Sequence, residues 1–214
     1  MEKSDLTKIY RSYFTAKTQP ELVTIAPAQF LSIIGKGDPS GDSFKKHIEA
    51  LYSTVYTIKF AFKTQGKDFV VSKLEGLWWF DESRFGTPAA SETPLAIPRS
   101  EWEYRLLIRL PEFITKKEVQ NAQEVVLLKK RLIEAQYLEL FEMNEGLCVQ
   151  VLHQGPFTTE PGSLKKIIAF TEERRLTRNG LHHEIYLSDF RRTKPDQLKT
   201  ILREPVKYFW PGKR

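Results

Sequence analysis

From His182 to Asp189 polar and apolar residues alternate, the two-residue period of a half-buried strand. Ile185 and Leu187 take one face; Glu184, Tyr186 and Ser188 take the other. At the usual strand rise, the Glu184 carboxylate and the Tyr186 phenol stand about 7 Å apart on one face. Such a face either lines a pocket, with Glu184 as its charge centre, or lies in solvent with the carboxylate hydrated. The same period predicts strands near 21–25, 30–34, 69–72, 74–80, 102–110, 137–142 and 147–153, with a last one from about 202 to 209. In the 102–110 segment Trp102, Tyr104, Leu106 and Ile108 share a face.

Three stretches follow helical spacing instead. Phe44, Ile48, Leu51, Val55, Ile58 and Phe62 predict a helix over 43–63, capped by Asp42 or Ser43. Val119, Ala122, Val126 and Leu127 predict one over 116–132, with Thr115 and Glu118 in capping-box positions. Pro161 and Ser163 open a third, through Leu164, Ile167, Ile168 and Phe170 to about Leu176, with Asn179-Gly180 as its stop. Residues 1–20 form an N-terminal arm. Residues 81–100, with Gly86, Pro88, Pro94 and Pro98, form a long loop of the kind that binds or covers a ligand.

The pattern repeats. Ser43-Phe44-Lys45-Lys46-His47-Ile48 resembles Ser163-Leu164-Lys165-Lys166-Ile167-Ile168, and Gly35 matches Gly155 at the same offset. Glu75-Gly76-Leu77-Trp78 and Glu184-Ile185-Tyr186-Leu187 fall at similar places after their helices. Duplicated units of this kind join their sheets and cover one face with helices, which leaves the other face as the default groove. The organisation is one α+β domain over 21–210, with repeat one about 21–110, a linking helix about 115–132 and repeat two about 136–210.

Composition narrows the chemistry. The 214 residues are 41% hydrophobic and 28% charged, a globular balance. Aromatics reach 12%, enough to line a cavity. The net charge of +6 is scattered in doublets such as Arg174-Arg175, with no basic-aromatic recognition motif, so direct nucleic-acid binding is not expected. The single cysteine, Cys148, lies in an apolar run and excludes an internal disulfide. Neither a signal segment nor a membrane span is read, so the cytoplasm is the expected compartment. Adjacent strand histidines such as His182 and His183 point apart, which argues against a metal site.

Gln150-Val151-Leu152-His153-Gln154-Gly155-Pro156-Phe157, then Glu160-Pro161, then His183-Glu184-Ile185-Tyr186-Leu187-Ser188-Asp189 resemble the hallmarks of the GyrI-like small-molecule-binding superfamily. Trp102 to Ile108 and Leu198 to Val206 extend the likeness. The resemblance implies two pseudo-symmetric βαββ repeats with a joined antiparallel sheet, helices on one face, and an aromatic groove with a central glutamate on the other. The superfamily includes a stand-alone branch that resembles this chain, the cyclopropanoid cyclopropyl hydrolases, which detoxify DNA-alkylating natural products of the yatakemycin and CC-1065 type.

That resemblance makes Glu184 the expected general base, and Tyr137, which opens the second half, is either an inward catalytic hydrogen-bond donor or a core tyrosine with a satisfied hydroxyl. A salt bridge from Glu184 to Arg105 or Arg191 is the structural alternative. Trp79, Trp102, Tyr104, Tyr186 and Phe190 are the expected substrate-binding walls for a flat aromatic ligand. Trp78 and Trp79 face opposite sides, so at most one lines the cavity. No cofactor, metal or membrane is implied. The expected activity is hydrolysis of an activated cyclopropane. A non-catalytic drug-sequestering protein is the alternative, and a topoisomerase-inhibiting surface is a third.

Overall fold

The computed structural model describes residues 3–209. The first two residues of the expected arm, and residue 210 at the end of the expected domain, lie outside them. The strands are β1 (Glu21–Ile25), β2 (Ala28–Lys36), β3 (Leu74–Trp79), β4 (Glu103–Arg109), β5 (Glu139–Met143), β6 (Gly146–Gln154), β7 (Leu176–Arg178), β8 (His182–Tyr186) and β9 (Lys199–Tyr208). The helices are the single turn α1 (Leu6–Ile9), α2 (Asp42–Thr64), the turns α3 (Glu82–Phe85) and α4 (Thr93–Ala96), α5 (Lys116–Lys130) and α6 (Glu160–Glu173). The protein is α+β, with an antiparallel sheet in the order β1-β6-β9-β8-β3-β4-β2-β5 and β7 alongside β9.

Three elements depart from their sequence expectations. Residues 69–72 form no ladder, only a bridge from Phe69 to Ser4. The third helix stops at Glu173, because Arg175 turns left-handed at φ 52° and the chain re-enters the sheet as β7. The α2 start is capped by no side chain, since Gly41 precedes Asp42. The capping box of α5 forms as its sequence requires, with the Thr115 amide donating to Glu118 at 2.9 Å.

A pseudo-dyad organises the sheet. The amides of Gly37 and Gly155 donate to the carbonyls of Trp102 and Leu198, which lead into β4 and β9. The two glycines have φ of 122° and 123°, open to glycine alone. The structural partner of Gly155 is therefore Gly37, not Gly35; Gly35 lies beneath Tyr104, whose ring would stand 2.5 Å from an added Cβ. Four residues beyond Trp102 and Leu198, Leu106 faces Gly76 and Leu202 faces Glu184. Gly76 and Glu184 are thus equivalent positions, and they also face each other across the central β3–β8 pair.

Ile25 faces Gly146 and Ala28 faces Met143, so β1–β2 runs as one long arm against β5–β6. Consecutive strands β1 and β2 stand first and next to last along the strand path, which requires a strongly curved sheet. Both α2 and α6 pack on one face. Under α2 lie Leu31, Ile33 and Leu106; under α6 lie Val149, Val151 and Leu202. The opposite face is concave and filled. Tyr13 and Phe14 of the arm cover Leu77, Leu107, Ile185 and Ile201 there. The open groove expected on that face is occupied by the chain's own arm.

A buried polar network fixes the arm. Arg203, fully buried, donates to Gln150 at 3.0 and 3.1 Å, to Glu145 at 3.1 Å and to the Tyr13 carbonyl at 2.8 Å. His183 lies between Glu145 at 2.9 Å and Glu75 at 3.0 Å, and the Tyr13 hydroxyl donates to Glu75 at 2.5 Å. Two carboxylate acceptors on one imidazole require both nitrogens to carry protons. Burial opposes ionisation of Glu145, but His183 and Arg203 outweigh it and hold its pKa down to about 2. Removing one partner strands a buried charge, so Arg203→Met should lower stability by about 3–5 kcal/mol in urea denaturation. A loss under about 1 kcal/mol would show that the network does not hold the arm.

Candidate functional site

The helix face at the pseudo-dyad carries the charged cluster. Parity along β3 and β8 brings Gly76, Trp78, His182, Glu184 and Tyr186 to that face, between α2 and α6. The Tyr186 hydroxyl donates to Glu184 Oε2 at 2.6 Å and accepts from Trp78 Nε1 at 3.2 Å. His182 Nε2 stands 3.3 Å from Glu184 Oε1, and its Nδ1 2.6 Å from Glu204 Oε1. Both imidazole nitrogens thus face carboxylates and act as donors. Burial disfavours the imidazolium, but Glu204 and Glu184 overcome it and raise the His182 pKa to about 10.

Glu160, at the first position of α6, brings a third carboxyl to this cluster. It is buried, and its Oε1 has no hydrogen-bond partner. Burial first, then the neighbouring Glu184 charge, pushes its pKa well above the usual carboxyl range, while His182 opposes the shift. The cluster therefore combines a carboxyl biased toward its neutral form, two further glutamates and an imidazolium. The same two influences, burial and Glu184, hold the Tyr186 phenol well above its ordinary pKa, so it stays a donor.

Aromatic rings surround the cluster. Phe157 and Phe190 meet Tyr186 edge-on, with centroids 6.0 and 5.4 Å away. Phe44 stacks on Trp78 at 5.9 Å, and Trp102 meets Trp78 edge-on at 5.8 Å. The Trp102 indole donates to the Ile97 carbonyl, which ties the end of the 81–100 segment beside Trp78. An open groove of about 820 Å³ adjoins these rings; Phe44, Tyr52, Tyr56, Tyr186 and Phe190 are among its walls. Tyr186 belongs to both the groove and the carboxylate cluster.

The expected residues separate by face. Glu184, Tyr186, Phe190 and Trp102 come together here. Neither Arg105 nor Arg191 pairs with Glu184: Arg105 bonds Ser32 and Glu139, and Arg191 pairs with Asp189. Tyr104 shares the face but is wholly buried beneath Phe44 and Trp78, with its hydroxyl 3.1 Å from His47, so it supports the wall from behind. Trp79 lies on the opposite face and donates to Glu103 at 2.8 Å; Trp78 is the tryptophan of the site. Tyr137 ends a 3-10 turn, 65% exposed, just before β5. Four strand spacings, roughly 19 Å, separate β5 from β8, so the phenol beside Glu184 is Tyr186.

Glu160, His182, Glu204, Trp78 and Phe157 were not singled out from the sequence as site residues. Glu160 and Phe157 stand in motifs that carried the resemblance, and Glu204 in the stretch that extended it. Only the sheet order puts Glu204 beside His182. Among the described residues no group of three or more His, Cys, Asp or Glu is arranged to hold a metal ion, and no helix is long and apolar enough to cross a membrane.

Gly76 makes room for the triad. A Cβ there would meet Trp78 Nε1 at 2.9 Å and Tyr186 Oη at 3.2 Å. Gly76→Ala should cost about 1–3 kcal/mol of stability and shift the tryptophan emission spectrum as the Trp78 indole moves. An unchanged spectrum and midpoint would mean that the triad tolerates the methyl. A second outcome concerns pH. With a folded pKa near 10 against 6.5 for the free side chain, His182 contributes stability that is complete below pH 6.5 and lost on rising to about 10. Denaturation midpoints should fall across that window. His182→Gln should start lower at pH 6 and fall less; an unaltered pH slope would contradict the assignment.

Comparison with known proteins adds the family. A family model described as the GyrI-like small molecule binding domain matches residues 111–207. None of the curated proteins matches the chain. Among solved structures, an uncharacterized conserved protein from Listeria innocua is 34% identical, with a TM-score of 0.85, covering 96% of this chain and 100% of its own. A hydrolase from Listeria innocua is also 34% identical, with a TM-score of 0.82 and the same coverage. The C-terminal domain of EcmrR, 12% identical, shares the fold with a TM-score of 0.59, over 89% of this chain and 98% of its own.

Proposed function

Because the chain belongs to the GyrI-like family of small-molecule-binding domains, we propose that it is a hydrolase that opens the activated cyclopropane of a spirocyclopropyl dienone with water. Such a reaction would detoxify a DNA-alkylating natural product of the yatakemycin or CC-1065 type. The observation that carries the reading is the meeting of Glu184, Tyr186 and Trp78 beside an aromatic groove of about 820 Å³. That volume suits a flat, drug-sized ligand.

Glu184 takes a proton from water. Its Oε2 accepts from the Tyr186 hydroxyl and its Oε1 lies 3.3 Å from His182 Nε2, and each oxygen keeps a lone pair for water. The bond and the ion pair hold the carboxylate in one orientation, the condition for efficient proton transfer. The water oxygen attacks a cyclopropane methylene carbon. The strained carbon–carbon bond breaks, and its electron pair passes into the dienone. The carbonyl oxygen becomes a phenolate and then a phenol on gaining a proton. Phe44, Phe157, Phe190 and Trp78 supply faces and edges that hold the flat ring system.

One feature favours a second reading, non-catalytic sequestration. The cluster carries an excess of carboxylates over its single imidazolium, which suits a cationic aromatic ligand held without turnover.

Incubating the protein with a spirocyclopropyl dienone in 18O-water separates the two. Hydrolysis yields a phenol carrying one labelled oxygen; sequestration returns the intact compound on denaturation. Glu184→Gln keeps the side-chain volume and should lower kcat at least ~100-fold with little change in binding of a neutral ligand. Undiminished turnover would remove Glu184 as the base.

A further inference from the structure

Glu160 is the group the mechanism above leaves unused. It is 8% exposed, and its Oε1 is an orphan in a protein whose other charged groups near the pseudo-dyad are paired. A buried polar atom without a partner calls for an explanation, and a reacting group is one. Its position is specific. The Gly155-Pro156 turn and the Phe157–Thr159 turn deliver it to the first residue of α6, three residues past Phe157, whose ring meets that of Tyr186 edge-on at 6.0 Å. There it shares the site of Glu184 and the Tyr186 phenol.

Resting on the hydrolytic reading, we infer that Glu160 is the proton donor of the site: it protonates the dienone oxygen as Glu184 takes the proton of water. The ring opening needs both transfers. A proton leaves water as the carbon–oxygen bond forms, and a proton reaches the oxygen that receives the electrons of the broken carbon–carbon bond. Water adds across the ring without any oxidant or reductant. After one turnover Glu184 is neutral and Glu160 is charged. Transfer of one proton between the two neighbouring carboxyls, directly or through a water, restores the starting state. Two carboxyls in one buried site cannot both ionise at low cost, so one proton shared between them is the stable arrangement.

The groups facing Glu160 decide its behaviour with pH. From β8 come Glu184, His182 and Tyr186; from β9 comes Glu204, through His182; His153 of β6 is taken up by Ser163 at 3.0 Å and the Pro156 carbonyl at 3.2 Å. Burial and the Glu184 charge favour the neutral acid, and His182 opposes them. At high pH Glu160 loses its proton and the donor is gone.

Two measurements test this. The infrared carbonyl stretch of a protonated carboxyl, read on the free protein at pH 7, should be present in the wild type and absent in Glu160→Gln. In turnover of a spirocyclopropyl dienone, the enzyme-dependent kcat of the wild type should fall at high pH. Glu160→Gln should lower kcat at least ~10-fold and abolish that high-pH fall, while KM stays within about threefold. An infrared band unchanged by the substitution overturns the donor role even when the wild type turns over. A high-pH fall that persists in Glu160→Gln assigns it to His182 and overturns the proposal too. A wild type without turnover overturns the hydrolytic reading and the donor role together.

Discussion

A carboxylate stands opposite a glycine at the centre of the sheet, and the rest of the helix-side structure depends on that pairing. Glu184 and Gly76 occupy equivalent places in the two repeats and face each other across β3 and β8. A side chain at both positions would crowd the pseudo-dyad. With none at Gly76, the Trp78 indole and the Tyr186 phenol close in over the backbone and bond each other. The duplication creates a symmetric frame, and one missing Cβ makes its centre asymmetric, with charge on one side and aromatic surface on the other.

The two faces divide the work by what covers them. On the concave face the arm residues Tyr13 and Phe14 seal the core, and Arg203 ties that seal to Glu145, Gln150 and the arm backbone. Every partner there is buried and paired except Glu75 Oε1, so the face carries structure. On the helix face α2 and α6 cover the two halves and leave the middle to small turns and single rings. Charges there sit in a part-buried, aromatic setting, where Coulomb interactions are strong, and Tyr186 links them to the open groove. The two adjacent histidines illustrate the division: His183 points into the sealed face and His182 into the site, and each lies between two carboxylates.

Much of the frame was legible along the chain because it is set by short-range periodicity. The alternation at 182–186 located the central strand and put Glu184 and Tyr186 on one face, and the spacing from Phe44 to Phe62 located α2. The capping box at Thr115 and Glu118 marked the start of α5. The family motif brought Glu184 forward as the central glutamate. Parity also stated that Trp78 and Trp79 face opposite ways, but one strand alone does not say which side is the site.

What the tertiary structure decided is everything that needs two strands or a strand and a helix. Strand alternation alone puts His182 and Tyr186 on either side of Glu184, but that Arg105 and Arg191, the alternative partners, both pair elsewhere is set by the tertiary fold. Tyr137 follows a helix in the sequence and stands four strands away in space, because β5 pairs with β2 at the sheet's edge. Glu160 and Glu204 come from α6 and β9, and their meeting with β8 is set by strand order and helix packing, which leave no periodic trace along the chain. By itself the sequence determined most of the elements and which residues of each share a face, since those follow from local spacing, and its repeat pointed to the duplicated frame. Which face opens, and which charges meet there, depended on long-range pairing and on where the arm packs, and those the three-dimensional fold alone decided.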